Sequence, residues 1–104
     1  MDMIIKLICQ MKDELEDAEK YIECANSTKE ADKELADVYH TLAGEEIGHM
    51  ERLQGQASRI IREESEEGED GSMPLRIKYI WEYERDNIEA KAHRIKALIS
   101  LYKK

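Results

Sequence analysis

Phenylalanine is absent from this chain, and proline and tryptophan each occur only once among its 104 residues. Glu, Lys, Leu, Ala, Arg and Met dominate instead, all strong helix formers, so the composition predicts an all-α protein. At this length the chain supports one small domain with one core. Cysteine is scarce too. Cys9 and Cys24 fall on the same N-terminal helix, about 22 Å apart by helical rise, which excludes a disulfide between them within that helix. Their spacing is not that of metal ligands, and reduced thiols in a cytoplasmic protein are the expectation. Met1-Asp2-Met3-Ile4-Ile5-Lys6 has neither a basic start nor a long apolar run, so no signal peptide is expected. No segment is apolar for long enough to span a membrane. The net charge of −8 argues against nucleic acid and anionic membranes as partners and suits cations.

Three amphipathic segments organise the chain. The first runs from about Asp2 to Ala25, with Ile4, Ile8, Met11, Leu15, Ala18, Ile22 and Ala25 at heptad-like spacing. Leu7, Glu14 and Tyr21 form a second row beside that stripe. Asn26 suits a helix C-terminus, and Ser27-Thr28-Lys29-Glu30 fits a capping box that would open helix 2 at about Thr28. So short a turn predicts antiparallel neighbours. Helix 2 reaches about Glu64 and carries Leu35, Tyr39, Leu42, Glu46, His49, Leu53, Ala57 and Ile60 at alternating steps of four and three. Gly44, Gly48 and Gly55 line its opposite side, either meeting a closely packed helix or simply facing solvent. Glu63 to Gly71 is an acidic, Gly-punctuated connection without the ligand spacing of an EF-hand. Helix 3 follows Ser72-Met73-Pro74 and runs to Tyr102, with Ile77, Trp81, Glu84, Ile88, Ile95 and Ile99 on one stripe. The expected organisation is therefore a helical hairpin over 1–66, an acidic flexible loop over 67–72 and a third helix of the same domain over 73–104.

Glu14, Glu46, His49 and Glu84 interrupt otherwise apolar stripes. A buried carboxylate without a partner is costly, and a metal ion is one compensation. Glu46 and His49, three apart, project from one helix face and can hold a single iron or manganese ion. The plain alternative is a buried, hydrogen-bonded Glu–His pair or an interface pair facing solvent. Glu84 is a candidate ligand or, equally, the partner of a Lys or Arg at a helix contact. Glu45, four before His49, could substitute for Glu46 if the helix is rotated, but it reads first as a surface charge. His40 and His93 fall off the stripes. Tyr21 and Tyr39 sit beside the candidate site. With the turn at Asn26-Ser27, Glu14 and Glu46 are out of step by five or six residues, roughly 8–9 Å along the axis.

These residues resemble the ferritin-like superfamily, especially rubrerythrin-like and encapsulated-ferritin-like proteins. The matching segments are Glu14 to Ala25, with Tyr21 seven residues after Glu14, and Leu42 to Met50, with its Glu-x-x-His. Together they cover about half the chain. A complete ferritin-like bundle has four helices and two Glu-x-x-His motifs, whereas this chain has one motif on a helix pair. The resemblance implies a four-helix bundle completed by dimerisation. Two copies of Glu14, Glu46 and His49 would supply the four carboxylates and two histidines of a di-iron centre, or a di-manganese one. It also implies ferroxidase-type oxidation of Fe²⁺, with Glu46 as the catalytic carboxylate that bridges the metals, in a homodimer or higher homo-oligomer. An encapsulin-type shell is a partner of such proteins, but Lys103-Lys104 after Tyr102 is not a targeting tail. The competing expectation is a non-enzymatic helical assembly protein with no metal site.

Overall fold

The computed structural model describes residues 2–67 and 75–103, and all their regular structure is helical, without a strand. Three helices, α1 (Asp2–Thr28), α2 (Lys33–Glu67) and α3 (Leu75–Leu101), form a rod of 59 × 18 × 17 Å. The acidic connection and the Ser72-Met73-Pro74 start of helix 3 fall largely outside the described residues. Glu67, placed in the loop by sequence, is the last residue of α2.

The α1 stripe is buried as its spacing predicts, with Ile4, Met11, Leu15 and Ile22 almost wholly out of solvent. Each such side chain contributes about 1.5–3 kcal/mol by leaving water. The turn is where the sequence reading fails. Helix α1 continues through Asn26 and Ser27 to Thr28. Asn26 Nδ2 donates to the Ile22 carbonyl and Ser27 Oγ to the Cys24 carbonyl, so both side chains bond back into their own helix. Asp32, not Ser27, caps α2: its Oδ1 accepts from the Leu35 amide at 3.0 Å. The reversal is closed by the Ala31 and Asp32 amides, which both donate to the Thr28 carbonyl.

From Ala36 to Met50 the buried stripe of α2 lies one residue later than expected: Ala36, Ala43, Ile47 and Met50 are buried, whereas Leu35 is exposed. Further on the expected stripe holds, with Ala57 buried and Leu53 and Ile60 packed against the core. Two adjacent rows of this helix are apolar enough to compete. The later row is the one that packs on α1: Ala36 and Ala43 cluster with Ile22 and Ala25, and Ile47 and Met50 join the cluster that holds Leu15 and Ala18.

Helix α3 runs parallel to α1 and antiparallel to α2. Lys12 pairs with Glu84, and Glu19 with Arg94 at 2.7 Å. Glu51 pairs with Lys96 at 2.6 Å, and Gln54 Nε2 donates to Glu89 at 3.2 Å. Ile77, Trp81, Ile88, Ala92 and Ile95 are the buried residues of α3. Gly44, Gly48 and Gly55 face open space, with nothing within 4 Å of a Cβ built on any of them, so no described part of the chain packs closely there.

Candidate metal centre

Moving the turn from Asn26-Ser27 to the stretch after Thr28 brings the site together. Glu14 lies 14 positions before Thr28, the end of α1, and Glu46 lies 13 after Lys33, the start of α2. The five- or six-residue mismatch disappears. Glu14, Glu46 and His49 each offer a ligand atom, and these atoms lie within 4.8 Å of one another. His49 Nδ1 is 3.2 Å from Glu14 Oε2 and 3.7 Å from Glu46 Oε1.

The trio sits at the edge of the core rather than in it, as the one-residue shift of the buried stripe requires. The Glu46 side chain is 17% exposed, Glu14 27% and His49 51%. Burial alone therefore does not demand a metal. The two carboxyls compensate each other instead: a hydrogen bond with Glu14, then desolvation, then the Glu14 charge push the pKa of Glu46 up to about 7, while His49 opposes the shift. One proton held between two carboxyls is the expected state of acidic groups that cannot comfortably ionise together. A cation between them would take over that role.

Around α1, at about 100° per residue, Glu14 stands roughly 140–160° from Lys12 and Glu19, the residues that reach α3. On α2, His40, Glu51 and Gln54 contact α3, and His49 lies about 140–180° from them. The trio thus occupies the side of the α1–α2 hairpin that α3 leaves uncovered. Tyr21 and Tyr39 stack across the same side, ring centroids 6.2 Å apart. Leu35 and Val38 are exposed there, at 42% and 49%.

Glu84 is not brought to the trio. It lies on α3 and pairs with Lys12 across a helix contact. Glu45 and His93 are exposed.

His40 was misplaced by the sequence reading. Its Nε2 lies 3.0 Å from the Ile99 carbonyl, and its ring stacks on Tyr102 at 4.6 Å. The Tyr102 hydroxyl donates to Asp37 Oδ1 at 2.8 Å, and Lys29 lies over the Tyr102 ring. Burial first, then the Asp37 hydrogen bond, raises the Tyr102 pKa. This cluster fastens the end of α3 to the start of α2. The signal for it was present: His40 is four after Ala36 and three before Ala43, on the alanine row.

No protein family, curated protein or solved structure matches this chain.

Proposed function

We propose that the chain is a ferritin-like half-bundle that binds iron or manganese through Glu14, Glu46 and His49, and that a second copy completes a di-metal centre over the open side of the hairpin. The observation that carries this reading is the convergence of three ligand atoms, two carboxylate and one imidazole, from two helices. Such a donor set suits iron and manganese. Bound iron would supply the redox chemistry, oxidation of Fe²⁺ by oxygen or peroxide, which makes the protein a ferroxidase-type oxidoreductase.

The residues of this chain have separable roles. Glu46, the least exposed of the three, would have to give up its proton to hold a metal, and it would be the catalytic carboxylate. Glu14 holds the His49 ring through its contact with Nδ1, and the imidazole would be the nitrogen donor to a metal. Half-exposed His49 keeps the site open to a second copy, and exposed Leu35 and Val38 give that copy an apolar surface to cover. The resident charge of −8 draws cations toward the site.

The alternative is a helical assembly protein without metal. It is favoured by one observation: Glu14, Glu46 and His49 already satisfy one another through hydrogen bonds. Anaerobic Fe²⁺ and Mn²⁺ titration followed by calorimetry separates the two. Saturable binding at one metal per chain, lost in Glu46→Ala, supports the metal centre. No heat and no bound metal after dialysis leaves the assembly reading. Oxygen uptake on adding Fe²⁺ then distinguishes turnover from simple binding.

A further inference from the structure

Helix α3 has a second apolar seam, directly opposite its buried one. Leu75, Tyr79, Tyr83 and Leu101 are 61%, 62%, 69% and 74% exposed, and Ala90 and Ala97 lie exposed on the same line. Two polar residues, Asp86 and His93, complete the row, and both face solvent. The steps along it are mostly four and three, the spacing that lets one helix lie along another. No described residue of this chain covers it, because α1 and α2 pack on the other side of α3.

The row is symmetric about position 88. Reflection through that point exchanges Leu75 with Leu101, Tyr79 with Ala97, Tyr83 with His93 and Asp86 with Ala90. We propose that this outer face of α3 docks the α3 helix of a second copy of the chain, laid antiparallel about a two-fold axis at position 88. An isologous contact needs a surface complementary to itself. The row provides one: each tyrosine meets a smaller residue, the two leucines meet each other at both ends, and Asp86 lies one layer from His93 of the second copy. A parallel alignment in register sets Tyr79 against Tyr79, Ala90 against Ala90 and Asp86 against Asp86, giving bulges, gaps and a like-charge contact. On the flank the antiparallel choice brings Glu82 near Lys96 of the second copy twice, where Lys96 already pairs with Glu51 of its own chain, and Glu89, which meets itself at the axis, is tied back by Gln54.

A helix of 27 residues is about 40 Å long. Contact along a strip that long and about 10 Å wide removes of order 1,000 Å² from solvent over both copies, near the lower limit for a specific interface. The association is therefore weak and concentration-dependent. It lies on the side of the molecule away from Glu14, Glu46 and His49 and does not rest on the metal reading. Combined with pairing over the hairpin, it would build assemblies larger than a dimer.

Sedimentation velocity and cysteine cross-linking of the full chain in chelator test it. Wild-type protein should gain mass between micromolar and sub-millimolar concentration, and Ala90→Arg, helical by circular dichroism, should sediment lighter. With Cys9→Ser and Cys24→Ser as background, Asn87→Cys should cross-link to itself across the axis. Tyr79→Cys should cross-link to Ala97→Cys and not to itself. Adding Glu46→Ala should leave these cross-links unchanged, which separates this interface from the metal centre. Equal mass for wild type and Ala90→Arg at every concentration overturns the proposal, and so does self-linking of Tyr79→Cys.

Discussion

The two sides of the α1–α2 hairpin treat their charged groups oppositely. On the side covered by α3, opposite charges meet across helices: Lys12 with Glu84, Glu19 with Arg94, Glu51 with Lys96. On the open side, two carboxyls are hydrogen-bonded to each other with a half-exposed histidine beside them. The charges named on the covered side are paired within one chain, whereas on the open side Glu46 is pushed toward keeping its proton. A carboxylate on an apolar stripe thus has no fixed meaning. Glu84 and Glu46 look alike in sequence and differ because one faces a lysine and the other faces Glu14.

The largest effects should come from the covered side. Ile95→Ala, at a position with no exposure, should cost about 2–5 kcal/mol, read as a lower midpoint in urea. It should leave metal stoichiometry unchanged wherever the protein remains folded. Loss of metal in that variant at low temperature would mean the two sides are not separable.

Removing a ligand should do the reverse. Glu46→Ala or His49→Ala should weaken iron or manganese binding by more than the roughly 10–100-fold typical of losing an outer partner of a ligand. His93→Ala and Glu84→Ala should retain wild-type metal content by mass spectrometry. Losing the exposed-edge Lys12–Glu84 pair should cost at most about 1 kcal/mol. Equal metal content in all four variants would remove the distinction between the two sides.

The pH dependence sharpens the contrast. The folded-state pKa of Glu46 is raised from 4.5 to about 7. Between these values the folded protein holds more protons than the unfolded chain. The stabilisation is therefore full below pH 4.5, declines as pH rises and is gone above about 7. For metal-free protein this amounts to of order 1 kcal/mol, allowing for solvent screening at a partly exposed site. Metal affinity should move the other way, rising across the same interval because the ligand must be deprotonated. In Glu14→Gln the decline should shrink, measured by urea unfolding at several pH values. An unchanged decline would place its origin elsewhere.

The smallest effect concerns a surface that belongs to neither side. Gly44→Ala and Gly55→Ala should each stabilise the fold by about 0.5–1 kcal/mol, because a helix-interior glycine costs backbone entropy. The added methyl meets nothing. A rise in melting temperature of a few degrees is expected. A fall would show that another copy packs against this stripe.

Much of the fold could be read from residue types and spacing. The α1 stripe and the helical character of all three segments follow from periodicity, which samples several turns and tolerates local error. The turn could not be read that way. Ser27 and Asp32 are both competent caps, and their choice depends on how far α1 packs before it ends. The α2 stripe was ambiguous for a related reason. Leu35 and Leu42 are more apolar than Ala36 and Ala43, yet it is the alanines that cluster with Ala25 of α1. Glu14, Glu46 and His49 were identifiable as residue types. Their convergence was not, because it hinges on that turn.

Sequence alone determined that this protein is helical, acidic and striped, because propensity, charge and periodicity are properties of neighbours along the chain. The tertiary structure decided which stripe is core, which carboxylate meets a lysine and which meets another carboxylate. Those outcomes depend on the register between helices, and a register set at one reversal moves every side chain beyond it.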